Sequence, residues 1–147
     1  MSFRYPLQKI VDLKGSQKSM AEWEYAASLG KLRREEEFLE SLQQERREIE
    51  HSLLETTSRP TPLSRLLSLQ QYMDLIDERI RIQAEGVRSA DSEVILSQVV
   101  LKDKMVDEKV WLNARDRALA RFRDERLAKE QNELDEIATV RAANSRR

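Results

Sequence analysis

The sequence predicts an all-α protein: two long helices forming an antiparallel coiled-coil hairpin, with the second helix longer and its C-terminal end projecting. Three observations carry this. Charged residues make up 36% of the 147 residues and aromatics only 5%, too little bulky apolar material for a wide core but enough for a seam between two helices. The apolar residues recur at alternating steps of three and four, the period of a coiled-coil seam. One segment alone reads as a clear break: Thr56-Thr57-Ser58-Arg59-Pro60-Thr61-Pro62, which holds two of the three prolines.

The first helix is expected over about residues 6–55, opening at Pro6, where the missing N–H donor costs nothing. Its stripe reads Leu7, Val11, Ala21, Tyr25, Leu32, Leu39, Leu42, Ile49 and Leu53. Lys14, Lys18, Ser28, Glu35 and Arg46 fall in the same seam, which is therefore imperfect. Gly30 weakens the helix further, by roughly 1 kcal/mol relative to alanine. Ile10, Leu13, Met20, Trp23 and Ala27 form a second apolar set. Two readings fit that set, a widened core stripe and a surface that meets a partner.

Pro60 and Pro62 lack a backbone donor and push the residues before them out of helical geometry. The reversal is placed at 56–62. Thr61 is expected to cap the second helix with Pro62 in its first position. That helix runs from about 62 to 140. Its seam reads Leu66, Leu69, Met73, Ile76, Ile80, Val87, Ala90, Val94, Leu101, Trp111, Ala118 and Phe122. Gln83, Ser97, Lys104, Glu108 and Arg115 are its polar members, and Met105, Leu112 and Leu119 broaden it. The heptad phase is kept across Gly86, so the helix is expected to continue there. The whole chain, 1–147, reads as one hairpin domain.

The register follows from the two stripes. Partners whose numbers sum to about 122 place Ile49 with Met73, Leu42 with Ile80, and Val11 with Trp111, layering a against d positions. Half that sum falls inside the proline segment. The same register leaves mismatched layers, Glu35 with Val87 and Lys18 with Lys104. It also leaves roughly the last thirty residues of the second helix without a partner in the chain, given the unequal helix lengths at about 1.5 Å per residue. This overhang begins with a basic stretch of Arg115, Arg117, Arg121, Arg123, Arg126 and Lys129. An acidic one follows, Glu130, Glu133, Asp135 and Glu136, and Leu127, Leu134 and Ile137 keep an apolar stripe. A long helix with an unpartnered apolar stripe should bury it in another protein.

No chemistry is legible. The glycines are isolated, so no phosphate-cradling loop exists. His51 is the single histidine and reads as a surface residue. There is no cysteine, hence no thiolate metal site. The expectations are no catalytic residues, no metal and no cofactor. A net charge of −1 supplies no field toward nucleic acid or membrane, so neither nucleic-acid binding nor membrane insertion is expected. The densest apolar run, Val94 to Leu101, falls far short of the ~20 residues of a membrane span. The N-terminus lacks a signal-peptide core. A soluble cytoplasmic protein, monomeric on its own, is the expectation.

Three stretches resemble one family. The opening, Phe3-Arg4-Tyr5-Pro6-Leu7-Gln8-Lys9-Ile10-Val11-Asp12-Leu13-Lys14, is similar to the start of the flagellar export protein FliJ. Gln70-Gln71-Tyr72-Met73-Asp74-Leu75-Ile76-Asp77-Glu78-Arg79-Ile80 resembles the start of that family's second helix. The close, Arg126-Leu127-Ala128-Lys129-Glu130-Gln131-Asn132-Glu133-Leu134-Asp135-Glu136-Ile137-Ala138, resembles its ending. The resemblance implies a cytoplasmic, non-enzymatic component of the flagellar type III export apparatus, located at the cytoplasmic face of the membrane at the flagellar base. Its partners would be the hexameric export ATPase, the export-gate membrane protein and export chaperones. Carried over by position, Phe3, Arg4, Lys9, Arg121, Arg123, Lys129, Gln131, Asp135 and Glu136 would face the ATPase. Tyr72, Ile76, Arg79 and Gln83 would meet the gate. Two other readings of the chain are a structural coiled coil that self-associates and the rotor stalk of a rotary ATPase.

Overall fold

In the computed structural model, which describes residues 2–146, two helices account for nearly the whole chain. Helix α1 spans Gln8–Thr57 and α2 spans Leu63–Ser145. The fold class is the one the stripes predict, an antiparallel helical hairpin. Helix α1 starts two residues beyond Pro6. The chain enters it through a turn in which the Gln8 N–H donates to the Tyr5 carbonyl at 3.1 Å.

The reversal is shorter than the proline segment, because α1 runs on through Thr57. Thr61 does not cap α2. Its hydroxyl donates backwards, to the Thr56 carbonyl at 2.7 Å and the Arg59 carbonyl at 3.0 Å. The Thr56 carbonyl also accepts from the Arg59 N–H at 3.3 Å, so the hydroxyl adds a second bond to the end of α1. Pro62 immediately precedes α2, and its carbonyl accepts from Arg65 at 3.1 Å. The missing Pro62 donor costs nothing there. Helix α2 is continuous through Gly86.

The chain divides into two compact units, Met20–Lys102 and Met1–Ser19 with Asp103–Arg147. In the first, Ile49, Met73 and Ile76 form the buried cluster, with Leu53 and Ile80 packed against it. Leu42, Ala90 and Val94 are also buried, as is Ala21. In the second unit the buried seam residue is Val11, and Trp111, Leu112, Ala118, Leu119 and Phe122 are half-buried along α2. Leu7, expected in the seam, is 42% exposed, since it lies in the entry turn before α1. Met105, expected to broaden the seam, is exposed too. Of the second apolar set, Leu13, Met20 and Trp23 stand in solvent, Trp23 at 80%. They do not widen the core.

Several polar members of the seam are matched across the helices, whereas Arg115 pairs with Asp116 on its own helix at 4.0 Å. Ser28 and Ser97 share a hydrogen bond between hydroxyls at 2.7 Å. Arg46 Nε donates to Asp77 at 2.6 Å. Lys14 pairs with Asp107 and Lys18 with Glu108, both at 2.8 Å. The clash expected between Lys18 and Lys104 is thus avoided by a carboxylate one turn further along α2. Gly15 lets that carboxylate approach, since a Cβ there would come within 3.1 Å of Glu108 Oε2. Glu35 likewise pairs with Gln83 rather than lying unmatched against Val87. The Gln83 amide donates to the Glu35 carbonyl at 2.9 Å and also to its carboxylate.

Polar layers of this kind set register more than they add stability. Gln83→Ala leaves the half-buried Glu35 carboxylate without its partner. It should lower the unfolding free energy by about 1–2 kcal/mol. Gln83→Glu should cost more, because it sets a second carboxylate against the first. Urea unfolding followed by circular dichroism checks the order, and equal stability of all three proteins would contradict it.

Candidate partner-binding surfaces

The end that carries both termini is built around Phe3. Its ring stacks on Tyr5 at 6.3 Å between centroids and meets Phe122 at 5.3 Å with a 49° tilt. This contact pins the non-helical N-terminal segment to α2. Phe122 is also where α2 loses its partner. From Arg123 to Arg146 every residue is exposed, a bare stretch roughly 35 Å long at about 1.5 Å per residue.

Of the residues expected to face an ATPase, Phe3 is half-buried in the aromatic contact, while Arg4, Lys9, Arg121, Arg123, Lys129, Gln131, Asp135 and Glu136 are all exposed. Gln131 donates to Asp135 at 3.1 Å. Lys129 borders a shallow hollow with Phe122, Glu125, Arg126, Glu130 and Glu133. Arg126 pairs with Glu130 at 3.3 Å along the helix. Asp135 and Glu136 border a second hollow with Asn132, Thr139 and Val140.

The apolar stripe of this bare segment is not a continuation of the seam. The positions that keep the seam's phase past Phe122 are Glu125, Lys129, Asn132, Glu136 and Thr139, all polar. Leu127 lies five residues on, about 140° round the helix from Phe122 at 3.6 residues per turn. It joins another row: Met105, Leu112, Leu119, Leu127, Leu134, at steps of seven, seven, eight and seven. Those steps average close to two turns of a straight α-helix, whereas the seam keeps strict sevens. The row flanks the seam in the paired part and is open in the bare part.

The four residues expected to meet an export gate do not share one open face. Tyr72 and Arg79 are exposed, Gln83 is half-buried and engaged with Glu35, and Ile76 has 0% exposure. Their steps of four, three and four are also the seam's own, so a set carried over by position at that spacing includes a core residue. The apolar neighbours that do stand open beside Tyr72 and Arg79 are Leu75 and Ile82. Tyr72 donates its hydroxyl to the Glu45 carboxylate, and this bond holds the phenol above the usual tyrosine range. The raised folded value means that the link is present at neutral pH and is lost as alkali ionises the phenol.

Among the described residues no group of His, Cys, Asp or Glu is placed to hold a metal ion. Among the same residues no helix is long and apolar enough to cross a membrane. The surfaces available are helix faces.

Comparison with known proteins settles the family. The model of the flagellar FliJ protein family matches residues 3–147. The chain belongs to the FliJ family. It is therefore a coiled-coil protein associated with flagellar type III export, in a family whose members are non-catalytic export components. The fold recurs in a solved structure of CT670 from Chlamydia trachomatis, a proposed YscO homolog. That structure is 20% identical, covers 95% of this chain and 94% of its own, and superposes with a TM-score of 0.71. No curated protein matches.

Proposed function

We propose that this FliJ-family chain is a non-enzymatic coupling component of flagellar export, inserting the end that carries both termini into the hexameric export ATPase. The bare stretch of α2 beyond Phe122 supports the reading. It is a long exposed helix with an apolar row and alternating charge blocks, and the pinned N-terminal segment lies at its base. Arg4, Lys9, Arg121, Arg123, Lys129, Gln131, Asp135 and Glu136 supply its charged and polar contacts. On this reading the chain acts at the cytoplasmic face of the membrane at the flagellar base. It contacts the export gate through the open face of Tyr72, Leu75, Arg79 and Ile82, and hands on export chaperones. The test is to mix the purified chain with the cognate ATPase. Hexamer formation and a rise in ATP turnover are expected, and absence of both binding and stimulation would remove the proposal.

A further inference from the structure

The bare segment carries a pattern that its own copy matches. Leu127, Leu134 and Ile137 are 63%, 60% and 51% exposed, on a helix face that neither α1 nor the N-terminal segment approaches. Arg121, Arg123, Arg126 and Lys129 precede the boundary at residue 130, four cations against the two carboxylates Asp124 and Glu125. Glu130, Glu133, Asp135 and Glu136 follow it. Leu127 and Leu134 lie equally far on either side of the midpoint between Glu130 and Gln131.

We propose that a second copy of this chain covers this face, the two α2 ends lying antiparallel about a two-fold axis near Glu130 and Gln131. A helix that is basic in one half and acidic in the other is complementary to itself when reversed. Each copy's Leu127 then lies along the other's Leu134, and each Arg126 near the other's Glu133. A parallel copy would set basic against basic and acid against acid. Ile137 completes the apolar row, and the reversed copy carries Ala138, Ala142 and Ala143 past Leu119 and Arg123, where small side chains leave room. Phe3 does not obstruct it, because it packs on Phe122, on the seam side of α2.

Few apolar side chains take part, so the interface falls below the roughly 800 Å² per partner of a standard one. The pairing is weak and reversible, and the dilute chain stays monomeric. The intrahelical pair of Arg126 with Glu130 does not compete strongly, since exposed pairs of this kind are worth only about 0.3–0.5 kcal/mol.

Sedimentation equilibrium of the full chain from micromolar to submillimolar concentration should show a monomer–dimer equilibrium. Leu127→Asp with Leu134→Asp should abolish it while circular dichroism stays unchanged. Arg126→Glu and Glu133→Arg should each weaken it about tenfold, since two symmetric pairs turn repulsive. The double variant R126E/E133R should restore it, and so should mixing the two single variants. The chain has no cysteine of its own, so Ala120→Cys mixed with Arg141→Cys should give a cross-linked heterodimer on mild oxidation. A monomer at every concentration, a dimer indifferent to the leucine substitutions, or a double variant that stays monomeric would each overturn the proposal. None of these results bears on binding to the ATPase.

Discussion

Replacing Ile76 with alanine is expected to lower the unfolding free energy by about 3 kcal/mol, the largest loss from truncating any single aliphatic side chain of α2. Ile76 is the one fully enclosed large side chain among the described residues, at 0% exposure. It sits against Ile49 and Met73, with Leu53 and Ile80 packed on the cluster. A two-helix seam has no second layer to collapse into the void, so the cost should lie well inside the ~2–5 kcal/mol range for such truncations. Trp23→Ala removes a far larger side chain, but one that is 80% exposed. It should change stability by less than about 0.5 kcal/mol. Urea unfolding of both variants is the measurement. A Trp23 variant as unstable as the Ile76 variant would mean that Trp23 is packed in solution. An Ile76 variant close to the parent would mean that the cluster is not the centre of the seam.

The seam was legible because burial in a helix pair imposes its own arithmetic on the sequence. Val11, Ala21, Leu42, Ile49, Met73, Ile76, Ala90 and Val94 are all buried, and all lie on the two expected stripes. The register was legible to within a turn. Lys14 with Asp107, Ser28 with Ser97 and Arg46 with Asp77 have numbers summing to 121, 125 and 123, against the expected value of about 122. What a residue sum misses is side-chain reach. Lysine, arginine and glutamine span a full helical turn, so Lys18 finds Glu108 and Gln83 finds Glu35 where layer counting predicts a mismatch. The reversal of Thr61 has a similar cause. A hydroxyl can serve either neighbouring helix end, and its choice depends on the turn's path, which proline positions alone do not fix.

The surfaces were less legible than the core. The resemblance that assigned Tyr72, Ile76, Arg79 and Gln83 by position could not separate a contact face from the seam, because both recur at three and four. The switch of apolar phase past Phe122 was present in the sequence as a change from strict sevens to steps averaging two straight turns. It becomes meaningful only once the end of the pairing is located. The Phe3 contact with Phe122 supplies that location, and it joins residues too far apart in the chain for any local pattern to connect.

On the proposed function, ending the chain after Arg123 is expected to abolish stimulation of the export ATPase while leaving the hairpin as stable as before. Every residue removed is exposed, apart from the final arginine, which lies outside the described residues, so no described packing of the seam is lost. The change in unfolding free energy should stay within about 0.5 kcal/mol, the range for surface changes. Phe122 and its contact with Phe3 remain, and Arg4 and Lys9 stay in place. Total helix signal should fall in proportion to the residues lost, with the cooperative transition unchanged. A truncated protein that still raises ATP turnover would remove Lys129, Gln131, Asp135 and Glu136 from the contact and leave the paired end as its source. The leucine pair separates the two roles of the segment. Leu127→Asp with Leu134→Asp should eliminate self-pairing in the full chain, whereas charge contacts with an ATPase draw on other faces of the same helix. Stimulation by that variant, set beside its loss on truncation, divides what the apolar row does from what the charged faces do.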